Sequence, residues 1–263
     1  MSDITVRRVK FEFPDELDDI FPGDDVDTET YRVAFSLTMP YLEPYLIRTY
    51  RAVADDITDP DLATDITHFI GQEAQHFQNH RRVNDMIKGQ LGADTAAKLQ
   101  AVEDALDADY RRFNAEKSRR FNLVYAEGFE AMTCAMAITI FERAAAGDGP
   151  TNFGPWAQLW AWHAAEEIEH RTVAFDVYHP LEGSYPYRVI GSLRAQAHFH
   201  RAVDKMQRIL LAHLGASTRP RVPSWLSGDG RSRYLATFRR SYHPGRLDPG
   251  PLPAMVLAGF DAA

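Results

Sequence analysis

Residues 163–170 read His-Ala-Ala-Glu-Glu-Ile-Glu-His inside a largely apolar run, "WAQLWAWHAAEEIEHRTVAFDVY". At 100° per residue, His163, Glu167 and His170 fall within about 60° of one another on a helix. The same stripe carries Trp156, Leu159, Trp160, Ala174 and Val177. That triplet is expected on the inward face, with Glu169 pointing away and Glu166 at the edge. A carboxylate buried without a partner suffers a desolvation penalty large enough to drive its protonation. The fold must therefore bring a compensating group to this helix, which excludes an ordinary apolar core here.

A second helix repeats the pattern. In "ITHFIGQEAQHFQNH", Glu73 and His76 form another Glu-x-x-His, and Ile66, Phe69, Ile70 and Phe77 share their face. Di-iron and di-manganese bundles use two such pairs and take one further glutamate from each of two other helices. Glu43 in "TMPYLEPYLIRTY" supplies one, and Glu127 or Glu130 in "NLVYAEGFEAMTCAMAITIF" the other. Glu130 is better centred on Leu123, Ala126, Ala137 and Phe141 and is the choice. Four carboxylates with neutral imidazoles carry four negative charges, which two divalent ions would balance. Oxygen and imidazole donors without sulfur fit iron or manganese, with zinc possible. His80, one turn beyond His76, is expected to support a ligand rather than be one. Cys134 and the tryptophans read as core, and the basic segment "RRFNAEKSRR" (111–120) as a solvated helix end.

The rest of the chain fits an all-α fold. Helical periodicity runs from about Thr28 to Ala216, with glycine and proline clustered at the breaks. Six helical segments are expected, over 28–56, 61–88, 95–113, 115–146, 153–179 and 185–215, with a kink or restart in the first at Pro44. A cap is expected in "TDPD" (58–61). The 263 residues divide as one domain: an extended N-terminal arm and loop (1–27), a helical core (28–215) and a C-terminal extension (216–263). The extension holds seven arginines and three aspartates in a chain of net charge −8, so it is expected to lie on the acidic body or on a partner subunit. The negative balance argues against nucleic-acid binding. One cysteine excludes an intrachain disulfide. No signal-peptide h-region or uncharged membrane-length run is present, so a cytoplasmic protein without membrane partners is expected, with a homodimer the default assembly.

With these residues assembled, the chain resembles the bacterial proteins described as predicted metal-dependent hydrolases of ferritin-like type. The resemblance covers roughly residues 5–215 and rests on "MPYLEPYLIRTYR", "FIGQEAQHFQNH", "AEGFEAMTCA" and "WHAAEEIEHRTVAFDVY". It implies a ferritin-like four-helix bundle with additional helices. It also implies metal-binding positions at Glu43, Glu73, His76, Glu130, Glu167 and His170. Around Glu43 the family often has Pro-x-Gly-Glu where this chain has "PYLE". The spacing His163-x3-Glu167-x2-His170 is similar to that of p-aminobenzoate N-oxygenase-type di-iron enzymes, a likeness of motif that implies His163 as a seventh ligand. On these grounds the first expectation is a non-haem di-iron monooxygenase. It would use two iron ions and O2 to oxidise a hydrophobic, possibly carrier- or coenzyme-A-linked, small molecule. No side chain beyond the metal ligands is expected to be catalytic. Electrons would come from an external donor or reductase, since no dinucleotide fingerprint is present. A two-metal hydrolase is the alternative, and a ferroxidase-like metal binder the third reading.

Overall fold

Asp25, Asp59 and Ser118 each stand where a helix begins and accept hydrogen bonds from backbone N–H groups that the helix leaves unpaired. Asp59 is the cap expected within "TDPD". In the computed structural model, which describes residues 4–13, 25–147, 154–216 and 226–261, the elements are α1 (Val26–Arg51), α2 (Pro60–Gln90), α3 (Ala93–Glu116) and α4 (Arg119–Ala145). They continue with α5 (Pro155–Glu169), α6 (Val173–Leu181), α7 (Tyr185–His213), α8 (Gly228–Ala236) and α9 (Leu252–Ala258). No strand occurs among the described residues. The expected loop around Pro14, Pro22 and Gly23, and the break at "GDGP" beyond Gly147, lie outside them.

The chain forms an all-α, ferritin-like helical bundle. α1 packs on α2, α3 and α7, while α4 packs on α5, α6, α7 and α8. One continuous set of buried apolar side chains runs from Ile4 and Phe11 of the arm through the bundle to Leu257 of α9. Each fully buried leucine or phenylalanine in such a core contributes about 1.5–3 kcal/mol. α4 is long and apolar enough to cross a membrane, but 94% of its apolar window is buried inside the protein. Gly128 of α4 sets the closeness of one helix pair, because a Cβ there would lie 2.5 Å from Ser192 Cα on α7.

Three expectations about the elements are corrected. The segment 153–179 is two helices, broken at His170–Thr172, although no glycine or proline marks the break; residue 153 itself lies outside the described residues. The C-terminal extension, expected beyond the helical core, carries helices of its own; these pack on α4 and α5, so it lies on the body, one of the two places expected. Finally, α1 does not restart at Pro44 but continues through Pro40 and Pro44 as one helix. A proline in a helix leaves the carbonyl four residues earlier without its donor. Here α2 replaces both: Asn84 Nδ2 donates to the Ser36 carbonyl at 2.8 Å, and Arg81 Nη2 reaches the Pro40 carbonyl at 3.5 Å.

The arm, residues 4–13, lies extended along α2 and α5. Ile4 is buried, and from Arg7 onward the odd-numbered residues turn inward: Arg7 and Phe11 are buried, and Val9 and Phe13 are partly so. Asn79 of α2 donates to the Val9 carbonyl at 2.9 Å, and the Phe11 ring packs 5.6 Å from Trp162 of α5.

Candidate metal centre

Four helices deliver the candidate ligands. Glu43 comes from α1, Glu73 and His76 from α2, Glu130 from α4, and His163 and Glu167 from α5, with His170 as the residue that closes α5. All seven are buried, none more than 4% exposed. They fall into two groups, Glu43–His76–His163 and Glu73–Glu130–Glu167–His170, and within each group one donor atom per residue lies within 4.8 Å of the others. Two carboxylates lie between the groups. Glu167 Oε1 is 3.0 Å from His163 Nε2 and 3.7 Å from His170 Nε2. Glu73 Oε1 is 3.8 Å from His76 Nδ1 and 3.6 Å from His170 Nε2.

Each histidine has one ring nitrogen held from behind, which leaves the other facing the carboxylates. His76 Nε2 meets Glu166 Oε2 at 3.0 Å, so its Nδ1 faces inward. His170 Nδ1 meets Gln72 Oε1 at 2.9 Å, so its Nε2 faces inward, 3.3 Å from Glu130 Oε2. His163 Nδ1 meets His80 Nε2 at 2.7 Å, and the chain continues from His80 Nδ1 to Ser36 Oγ at 2.8 Å. Ser36 Oγ in turn donates to Asn84 Oδ1 at 2.6 Å. One proton direction satisfies this whole chain: His163 Nδ1–H donates to His80, His80 Nδ1–H to Ser36, and Ser36 to Asn84. His163 Nε2 then faces the interior, 3.0 Å from Glu167 Oε1. Metal-binding histidines are oriented by such partners as a rule.

Protons alone serve the site poorly. Burial, then the charges of Glu167 and Glu130, push the Glu43 carboxyl well above the usual carboxylate range. Burial and the charges of Glu43, Glu130 and Glu167 do the same to Glu73. Glu130 is pushed by burial and by Glu167 up to about 7, with His170 pulling the other way. At Glu167, burial is outweighed by hydrogen bonds and charge from His163 and His170, which hold its carboxyl well below its ordinary value. His170 correspondingly keeps its proton well above the ordinary histidine range, because Glu130 and Glu167 overcome its burial. Burial and the neighbouring His163 push both His76 and His80 down.

The hydrogen-bond inventory tests whether these residues suit metal ions. Both Glu43 oxygens, Glu73 Oε1, Glu130 Oε1, Glu167 Oε2, His76 Nδ1 and His170 Nε2 are buried without a hydrogen-bond partner. Buried polar atoms are ordinarily satisfied, and cations would satisfy this set. The seven glutamates buried among the described residues also divide cleanly. Glu103 is paired with Lys88, Glu127 with Arg188 and Glu166 with Arg7. Among the described residues, Glu43, Glu73, Glu130 and Glu167 have no lysine or arginine partner and face only histidines. The donors fit two divalent ions.

The structure places Glu127 outside the cluster, bound to Arg188 Nη1 at 2.8 Å and Ser192 Oγ at 3.3 Å, and brings Glu130 into it. His80 stands behind His163 and belongs to neither group. Glu166 is corrected: it is fully buried rather than marginal, and it joins His76 to the arm through Arg7 Nη1 at 3.1 Å. Burial pushes its carboxyl up to about 8, against the pull of Arg7. Glu169, expected to point away, turns to the arm. It accepts from Arg7 Nη1 at 2.9 Å, from the Thr5 amide at 3.1 Å and from Gln72 Nε2 at 2.5 Å. Arg7 Nε closes the arrangement on Asp261 Oδ1 at 2.7 Å, just beyond α9. Sequence reading passed over Arg7, Gln72, Ser36 and Asn84. The one signal for Arg7 was its register with Val9, Phe11 and Phe13 in an alternating stretch.

A family model described as predicted metal-dependent hydrolase matches residues 5–248. No curated protein and no solved structure matches the chain.

Proposed function

The chain belongs to the family of predicted metal-dependent hydrolases, and from that premise we propose that it is a two-metal enzyme whose ions are held by Glu43, Glu73, His76, Glu130, His163, Glu167 and His170. The observation that carries this reading is the partition of the buried glutamates: the four without a lysine or arginine partner are the four in the cluster. Two divalent ions there would supply Lewis acidity, and iron would add the capacity to reduce O2. The chain's own residues hold and orient. Glu73 and Glu167 lie between the two groups; Glu166, Gln72 and His80 fix the proton on the rearward nitrogen of each histidine. The bundle and the docked arm exclude bulk water.

Hydrolysis of a small organic substrate is the first reading, because it agrees with the family's description. That order reverses the one expected from the sequence. O2 activation by two iron ions is the second, and the complete burial of a glutamate- and histidine-rich donor set favours it, since burial protects reactive chemistry from water. An oxygenase would also need an external electron donor. Reconstitution with Zn2+ or Fe2+, followed by esterase, amidase and phosphatase screens and by measurement of O2 uptake, separates the two. Turnover with zinc under argon supports hydrolysis. O2 consumption that requires iron and a reductant supports the second reading. Two metal ions per chain are expected in either case, falling by at least one in Glu73→Ala and Glu167→Ala. Unchanged metal content in both variants refutes the site.

A further inference from the structure

Two hollows away from the metal centre lie between α6 and the stretch 240–246 that follows α8. The larger, about 400 Å3, is lined by Phe175, Asp176, His179, Arg240, Tyr242 and Arg246 among others. The smaller, about 160 Å3, shares His179, Arg240 and Tyr242 and adds Tyr185 and Arg188. The shared walls make them one groove, of a size that suits a small organic ligand.

The polar groups of the groove divide into those already engaged and those that are not. Arg188 is committed to Glu127 and to the carbonyls of Thr237 and Arg239. His243 Nδ1 accepts from the Gly245 amide at 3.1 Å, so its Nε2 carries the proton and faces Asp176 Oδ1 at 3.6 Å. That occupies the one carboxylate in the lining. Arg240 and Arg246, by contrast, are exposed and have no carboxylate partner among the described residues. The walls are aromatic: the His179 ring lies 4.2 Å from that of Phe175, and the Arg240 guanidinium sits 5.8 Å from the Tyr185 ring centre. Two guanidinium groups without a carboxylate match a tetrahedral oxyanion, and aromatic walls suit a planar body beside it.

We propose that this groove binds a phosphate-bearing small molecule with a planar group, such as a nucleotide, with its phosphate on Arg240 and Arg246. The proposal stands apart from the metal centre and does not depend on what reaction that centre performs.

Calorimetric titration of the full chain with ADP, without added divalent metal, tests it; inorganic phosphate and adenosine serve as the separate halves of the ligand. One ADP per chain is expected, bound more tightly than either half. Binding should weaken about tenfold or more in R240Q/R246Q, and not at all in the control R194Q on α7. Arg240 and Arg246 are exposed, so the double variant should retain its helicity and melting temperature. Absence of saturable ADP binding overturns the proposal, as does undiminished binding in R240Q/R246Q. Inorganic phosphate binding as tightly as ADP removes the planar body and overturns it as stated.

Discussion

Arg7 is the residue whose replacement most directly tests how the centre is held, because it touches no candidate ligand. Its side chain is 6% exposed and meets Glu166, which is fully buried, Glu169 at 12% and Asp261 at 52% exposure. Breaking a buried ion pair from one side costs about 3–5 kcal/mol. Two discounts apply. The contact with the half-exposed Asp261 adds little. Glu166, pushed by burial up to about 8, also carries less than a full charge at neutral pH, so its bond to Arg7 is weaker than a full ion pair. The expected loss for Arg7→Met in urea unfolding at neutral pH is then about 2–3 kcal/mol. Without Arg7, Glu166 also loses the group that holds it against His76 Nε2, and losing such support typically costs about 10–100-fold in metal affinity. Competition of the protein with a chelator for Zn2+ measures that. A double-mutant cycle with Glu166→Gln should return a coupling of about 1 kcal/mol or more, whereas Asp261→Asn alone should change stability by less than about 1 kcal/mol. A variant that unfolds within about 0.5 kcal/mol of the parent and keeps its metal affinity would refute the reasoning.

Three further outcomes follow from particular contacts. Asn84→Ala strands the Ser36 carbonyl and ends the chain behind His163, so a loss of about 2 kcal/mol is expected in urea unfolding; less than about 0.5 kcal/mol would mean that water replaces the amide. Gly128→Ala drives a Cβ against the α7 backbone and should cost about 1–3 kcal/mol, whereas Gly89→Ala, with nothing within 4 Å, should gain about 0.5–1 kcal/mol. Effects of the same sign at both glycines would contradict the close approach of α4 and α7. Burial pushes His200 down to about 4. Its contribution is therefore absent above pH about 6.5 and becomes destabilising as pH falls towards 4, because the unfolded chain takes the proton first. By pH 4 this should reach about 2–3 kcal/mol, and His200→Met should shrink the acid-side loss of stability by that amount. Parallel pH profiles for parent and variant would rule it out.

The cluster was legible because helical spacing is local. Glu73–His76 and His163–Glu167–His170 repeat at intervals that put each set on one face, and the apolar residues around them said which face was inward. The partners behind them were not legible, because they are set by tertiary docking. Arg7 reaches Glu166 across 159 positions and Asp261 across 254, and no local period records such distances. Glu166 was misjudged for the same reason: an ideal helical wheel puts it at the margin, and the arm lying over that margin buries it. The end of α5 at His170 carries no glycine or proline, so its periodicity ran on into α6. At Pro44 the backbone rule was sound but incomplete, since the substitute donors sit on another helix.

Those donors have a consequence for how the bundle is assembled. Two antiparallel helices with apolar stripes can slide past each other by a turn and still bury similar surface, so hydrophobicity alone specifies their alignment poorly. On α1 the prolines expose carbonyls at Ser36 and Pro40, one turn apart, and α2 presents Asn84 and Arg81 opposite them. A slip of α2 by one turn, about 5.4 Å, would leave the buried Ser36 acceptor without its donor and carry Glu73 and His76 away from Glu43. The prolines thus act as notches in a key. They penalise every alignment except the one in which carboxylates from separate helices meet.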